Sequence, residues 1–299
     1  MKETVLTINH LHKRYGAIHA VNDLSLEIEK GSIYGILGPN GSGKSTTLGI
    51  VLGTVNKTEG DFYWFDHENP TKAKKKIGAL IENPTFYPYL SAENNLKLIA
   101  DIKEVPYSEI NPILEFVGLQ ERKNYQFKTF SLGMKQRLAI GAAMLGNPDV
   151  MILDEPTNGL DPKGIHEIRE LILEISKKGI TILLASHLLD EVQKTCSHVA
   201  ILKKGKLLSK GPVDEIMSSL PIYKIAASNM ESLKSSLSKM EQIKSIKEKN
   251  DVFEIQVDEN FSACDLNKVL TQQGIYVHHL SKKKKSLETY FLEQIKEQA

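Results

Sequence analysis

Gly38-Pro39-Asn40-Gly41-Ser42-Gly43-Lys44-Ser45-Thr46 has the spacing G-x-x-x-x-G-K-[ST], and its flanks are of the kind that spacing needs. Before it, residues 32–37 (SIYGIL) form a short apolar run that reads as a buried parallel strand. After it, residues 45–52 (STTLGIVL) can run as a helix. Strand, glycine-rich loop and helix together make a backbone cradle for a phosphate chain. Glycines at 38, 41 and 43 let N–H groups curl around the phosphates, and the helix N-terminus adds partial positive charge. Lys44 supplies a mobile cation for the outer phosphates. Ser45 supplies a hydroxyl oxygen of the kind that Mg²⁺, a hard cation, prefers.

A second apolar run, Val150-Met151-Ile152-Leu153, ends in Asp154-Glu155. It reads as a central parallel strand, which puts both acids at its carboxyl end, where ligands bind in such sheets. Asp154 is a second contact to the Mg²⁺ shell, and Glu155 can orient and polarise an attacking water. Alone, the pair could be two carboxylates capping a strand; beside Lys44 and Ser45 they read as phosphoryl-transfer groups. A third buried strand, residues 179–185, ends at Ser186-His187. A lone histidine is usually structural, but His187 falls on the same rim and reads as a γ-phosphate contact.

Around these runs the chain follows a consistent order. Residues 4–9 and 24–28 read as strands, and residues 13–16 (KRYG) as a turn carrying Tyr15. Tyr15 alone would be an exposed turn aromatic; upstream of a phosphate loop it can stack on a purine face. Residues 60–65 form an aromatic-rich strand, and the four lysines of 72–76 a solvated helix face. Residues 77–81 are another buried strand, entering a loop punctuated by Pro84 and Pro88 that carries Phe86, Tyr87 and Tyr89. From residue 92 to about 146 the periodicity turns helical, an inserted helical subdomain in which Ser131 is placed to cap the helix that follows it. A turn over residues 156–162 and a helix to about residue 178 complete the pattern.

The composition bounds the class. The chain has 299 residues, 38 Lys+Arg against 37 Asp+Glu, 41% hydrophobic and 25% charged residues, as in a soluble globular protein of one large or two smaller domains. The near-zero balance gives no support to bulk electrostatic binding of nucleic acid, so no nucleic-acid partner is expected. Two cysteines, Cys196 and Cys264, argue against a disulfide scaffold, and each reads as a small buried apolar residue. No apolar run approaches a membrane span and residues 1–7 lack a signal-peptide core, so any membrane role calls for a partner.

After Pro212 the character changes. Strand-like runs at 222–227, 243–247, 252–257 and 275–280 alternate with helical ones at 230–239 and 262–272. The order βαββαβ is that of a small ferredoxin-like domain. Residues 282–285 are a lysine run, read as a solvated turn, and 286–296 an amphipathic terminal helix.

Taken together, Tyr15, GPNGSGKST (38–46), FSLGM (130–134), VMILDEP (150–156), NGLD (158–161) and SHLLDEV (186–192) resemble the ATP-binding subunit of an ABC transporter, over roughly residues 1–211. IENPTFYPYLSAENNL (81–96) narrows the resemblance to exporters of bacitracin and lantibiotic-type peptides and related ABC-2 systems. The implied fold class is α/β, a P-loop NTPase of the ABC type with an inserted helical subdomain, plus a small C-terminal α+β, ferredoxin-like domain. The implied domains are 1–215 for the ATP-binding domain, with its helical part at about 92–146, and 220–299 for the accessory one.

The resemblance implies ATP and Mg²⁺ as cofactors and a role for each matching residue. Tyr15 would stack on adenine. Gly38, Pro39, Asn40, Gly41, Ser42, Gly43, Lys44, Ser45 and Thr46 would hold the phosphates. Ser45, Asp154 and Glu82 would hold Mg²⁺, Glu155 the water and His187 the γ-phosphate. Ser131 and Gly133 would contact ATP held by a second ATP-binding subunit, with which Asp161 would communicate. An integral membrane permease subunit is the implied further partner, with the chain peripheral on the cytoplasmic face of the membrane.

Two positions depart from the family pattern. Glu82 replaces the usual glutamine of the loop that meets the membrane partner, and F-S-L-G-M replaces L-S-G-G-Q, so that Leu132 stands where glycine is usual and Met134 lacks an amide. Among other P-loop proteins, a kinase would not need the FSLGM stretch, and a GTPase would carry N-K-x-D where this chain has only Asn56-Lys57-Thr58-Glu59. A non-transport ABC ATPase with a regulatory or mechanical role stays open.

Overall fold

The computed structural model describes residues 3–81, 85–217, 221–249, 251–258, 260–283 and 287–291, and the chain divides after Val213 into two compact units. Glu82, the candidate Mg²⁺ ligand, lies outside the described residues, as do Lys284, Lys285 and most of the terminal helix expected over 286–296.

The first unit begins with two long strands, β1 (Thr4–Tyr15) and β2 (Ile18–Glu29), which pair antiparallel. β1 extends well past residue 9. The expected turn at 13–16 is therefore displaced: Tyr15 is the last residue of the strand and pairs with Ile18 across Gly16-Ala17. The tight turn needs the left-handed φ of 57° at Gly16 rather than the lysine–arginine stretch before it. After β3 (Ile33–Leu37) and α1 (Lys44–Val51), strand β4 (Glu59–Trp64) pairs on the other side of β1, giving the sheet order β2-β1-β4.

Next come α2 (Pro70–Lys75), β5 (Ile77–Leu80), the helices α3 (Ala92–Lys103), α4 (Ile110–Phe116) and α5 (Leu132–Met144), then β6 (Val150–Asp154), α6 (Pro162–Lys177) and β7 (Thr181–Ser186). The unit closes with α7 (Leu189–Thr195), β8 (His198–Lys203) and β9 (Lys206–Pro212). The main sheet runs β5-β6-β7-β3-β8-β9, parallel throughout except at β9. Its central strands β3, β6 and β7 are buried along their whole length, which is why they read as apolar runs without alternation. Leu6, Ile8, Leu26 and Ile28 of the small sheet, Leu48 and Ile50 of α1, and Ile36, Ile152 and Leu183 of the main sheet form one buried cluster. Burying such side chains stabilises by roughly 1.5–3 kcal/mol each, and α1 is thereby fixed behind the loop that precedes it. Trp64 closes the cluster and donates its indole N–H to the Val51 carbonyl at 2.8 Å.

α8 (Val213–Met217) leads to the second unit. This comprises β10 (Ile222–Ala227), α9 (Met230–Leu237), β11 (Ile243–Lys249), β12 (Val252–Val257), α10 (Ala263–Gln272) and β13 (Val277–Lys283). The antiparallel order β11-β12-β10-β13 is ferredoxin-like. Alternation in β12 places Phe253, Ile255 and Val257 against Leu233, Leu237, Leu266 and Leu270 of the two helices. Cys196 is buried as expected, but Cys264 is exposed. It falls in the first turn of α10, whose inward positions are held by Leu266 and Leu270.

Candidate phosphate-binding and hydrolytic site

The site is assembled by strand register. In the main sheet Leu37 pairs with Ser186, and Asp154 with Ala185. The residues that leave these strands, Gly38, Glu155 and His187, therefore emerge side by side at the carboxyl edge. Glu155 takes a left-handed φ of 49°, a conformation unusual for a residue with a side chain and one that clusters at functional sites. Its N–H donates to the Ala185 carbonyl at 2.9 Å, which ties the turn to β7.

Three side chains converge there. The Lys44 ammonium is buried, donates to the Gly38 carbonyl at 2.9 Å and lies 3.4 Å from Glu155 Oε1. The other Glu155 oxygen is 2.8 Å from His187 Nδ1. An ionised carboxylate only accepts, so this contact puts a proton on Nδ1. Glu155 is thus gripped from both sides, by a cation and by a ring N–H. Asp154 is buried at the end of β6, one residue earlier.

The loop is a cradle of backbone. Side chains at Gly38 and Gly43 would land on the Leu202 and Ala20 carbonyl oxygens, so these glycines answer to close packing against β8 and β2. Gly43 also holds a left-handed φ of 105°, whereas Gly41, with φ 77°, has open space around it. It serves the curl of the loop itself. Pro39, Asn40 and Gly41 are exposed at the crown, and Ser45 and Thr46 face outward on the first turn of α1, whose leading N–H groups have no partner within the helix. Buried Ser42 Oγ has no hydrogen-bond partner among the described residues. Such an arrangement suits a polyanion at a helix N-terminus. It suits Mg²⁺ as well: that ion is usually held by one or two protein oxygens, substrate phosphates and water. No cluster of three or more His, Cys, Asp or Glu able to cage a metal occurs among the described residues.

The remaining sequence candidates lie elsewhere in the unit. Tyr15 is half-exposed at the tip of β1, with the Lys13 ammonium 4.7 Å from its ring centre. Ser131 is the N-cap of α5 and accepts from the Met134 N–H at 3.3 Å. Gly133 follows it, and Asp161 caps α6 by accepting from the Gly164 N–H at 2.9 Å.

Asn95 lies within the 81–96 stretch, which assigns it no role of its own, yet it organises the loop after β5. Its Oδ1 accepts from the Tyr87 N–H at 2.9 Å, and its Nδ2 donates to the carbonyls of Tyr87, Leu90 and Ser91 at 3.0–3.3 Å. The only signal is an amide one turn into a helix capped by Ser91. The three aromatics of the loop divide: the Phe86 ring meets that of Phe127 at 5.0 Å, tilted by 57°, while Tyr87 and Tyr89 are exposed.

Comparison with known proteins gives the family of the chain. Residues 21–158 match the family model described as ABC transporter. The chain is 41% identical over 210 residues to the lantibiotic transport ATP-binding protein SrtF of Streptococcus pyogenes, covering 70% of this chain and 92% of that one. It is 37% identical over 308 residues to the bacitracin transport ATP-binding protein BcrA of Bacillus licheniformis, covering 98% and 97%. Among solved structures it is similar to a nucleotide-free ATP-binding cassette, with TM-score 0.64, 26% identity and coverage of 70% and 91%. It is also similar to a dimeric cassette in a post-hydrolysis state bound to ADP and Pi, with TM-score 0.62, 26% identity and coverage of 70% and 98%. The chain belongs to the ABC transporter family, and it is an ATP-binding cassette and ATPase of that family.

Proposed function

We propose that this chain powers export of a peptide antibiotic, drug or lipid-like substrate through a separate permease subunit, working peripherally on the cytoplasmic face of the membrane. The observation that carries the chemistry is the Lys44–Glu155–His187 cluster. Lys44 can leave the carboxylate for the outer phosphates. Glu155, relieved of its cation, is then the acceptor for a water proton, and His187 keeps it aligned while Nε2 faces the γ-phosphate. Water attacks the terminal phosphorus, the bond to ADP breaks, and phosphate leaves. Mg²⁺, when bound, would neutralise phosphate charge, and Ser45, Asp154 and Glu82 are the residues that would hold it.

Tyr15 stacks on adenine with its half-exposed ring. Ser131 and Gly133 belong to the site of a second copy of this chain, a reading supported by the dimeric cassette to which the chain is similar, and Asp161 communicates between the two. The export reading draws support from the bacitracin-transport relative, which aligns over nearly the whole chain, second unit included. The second unit, about residues 220–299, is an accessory domain on the cassette of residues 1–215. Among the described residues no helix is long and apolar enough to cross a membrane, so transport calls for a permease. Exposed Tyr87 and Tyr89 offer the aromatic anchors that dominate interfaces. The experiment is copurification of a multi-span membrane protein with the full chain. Tyr87→Ala with Tyr89→Ala should lose that protein and transport while keeping ATP binding; retention of both by the double variant would place the docking surface elsewhere.

A further inference from the structure

Leu132 follows the capping Ser131 and is 43% exposed. An exposed leucine needs no explanation by itself. What it touches does. Its Cδ2 lies 3.2 Å from the point a β-carbon on Gly159 would occupy, and Leu160 Cδ2 lies 3.9 Å from the corresponding point on Gly133. The start of α5 and the turn before α6 therefore interdigitate, each leucine covering the other stretch's glycine.

The turn itself is held. Gly159 has a left-handed φ of 75°, the Asn158 N–H donates to the Glu155 carbonyl at 3.0 Å, and Asp161 caps α6. Further along, Arg137 of α5 faces Glu167 of α6 at 3.9 Å. The turn thus begins at Glu155, in the hydrolytic cluster, and ends at Asp161, while Leu132 rests on its middle.

We propose that Leu132 is a positioning residue that locks residues 131–134 to residues 157–161, so that Ser131, Gly133 and Asp161 meet a second copy of the chain as one surface. This rests on the reading above that ATP is shared between two copies. A side chain larger than hydrogen at 132 is then not an obstacle to pairing but the link that sets the turn.

The test uses the full chain with Leu132→Ala, Leu132→Met and Ser131→Ala. Alanine removes the contact without the helix cost that glycine would bring; methionine keeps an apolar arm able to reach Gly159. Four quantities are read: melting temperature, ATP affinity of the dilute unpaired chain, kcat, and ATP-driven pairing in a Glu155→Gln background. Leu132→Ala should lower kcat and weaken pairing about tenfold, the scale of one lost apolar contact. Melting should fall by no more than about 3–6 °C, which leaves the chain folded at assay temperature; single-chain ATP affinity should hold, and Leu132→Met should recover most of the loss. Unchanged kcat and pairing in Leu132→Ala would overturn the proposal, as would an equal loss in Leu132→Met or a loss explained by lower melting. If Ser131→Ala also leaves hydrolysis and pairing intact, the shared-site reading falls with it. If Ser131→Ala fails and Leu132→Ala does not, only the link is refuted.

Discussion

Asn95→Ala separates the loop after β5 from the catalytic edge. The wild-type amide makes four contacts, but they are not equally exposed to loss. The Tyr87 carbonyl also accepts from the Leu90 N–H, the Leu90 carbonyl from the Phe127 N–H, and the Ser91 carbonyl from the Asn95 N–H. Each carbonyl keeps a donor in the variant. The Tyr87 N–H does not keep its partner, which is Asn95 Oδ1 at 2.9 Å. An orphaned, part-buried donor costs about 1–3 kcal/mol, and the adjacent exposed tyrosine lets some water in, so a loss of about 2 kcal/mol is expected. For a unit of this size each kcal/mol moves Tm by about 2–4 °C, giving a drop of about 4–8 °C. Calorimetry of the full chain measures it, and hydrogen exchange should show lost protection confined to residues 87–91 and their neighbours. ATP affinity should stay within about twofold, because the amide touches none of the phosphate-loop residues. A variant that melts with the wild type, or that loses ATP affinity in step with Tm, would refute the reasoning.

Other outcomes follow from the same geometry. Lys44→Ala should lose tight ATP binding or turnover, measured by titration and phosphate release; unchanged values would remove the phosphate loop from the chemistry. Glu155→Gln keeps the shape and loses the charge that polarises water, so hydrolysis should fall by about a hundredfold or more while ATP still binds. It should also trap a paired, ATP-bound form, and a wild-type rate would shift the catalytic role toward His187. Lys103 donates to the carbonyls of Ala142, Ala143 and Leu145 at the end of α5, and burial pushes its pKa down from 10.5 to about 8 against the opposing pull of Glu109. Between those values the unfolded chain holds a proton that the folded chain has released, so stability should rise with pH across that window, by up to about 1.4 kcal/mol per unit. Denaturation midpoints at the two ends of the window should show the rise in the wild type and not in Lys103→Met.

Features set by neighbours along the chain are legible in the sequence itself. The phosphate loop depends on glycines and a lysine at fixed spacing between a strand and a helix, and residues 33–51 adopt that arrangement. Ser131 is a cap, whose bond reaches three residues along. The second unit's element order follows from periodicity and turn residues alone. Strand limits are less secure: β1 runs to Tyr15, because pairing with β2 throughout, and with β4 as far as His12, sustains it through polar residues that local propensity would end.

Tertiary structure decides what spans the chain. Lys44 and Glu155 meet only because β6 and β3 flank β7 in register. That Gly38 and Gly43 answer to the Leu202 and Ala20 carbonyls, rather than to the phosphate cradle alone, requires the packing of β8 and β2 against the loop. Cys264 faces solvent, Phe86 turns inward beside exposed Tyr87, and Leu132 lies on Gly159. Side-chain chemistry and spacing specify which groups can bind a nucleotide. The placement of those groups against one another is a property of sheet order and packing, which no single stretch of residues encodes.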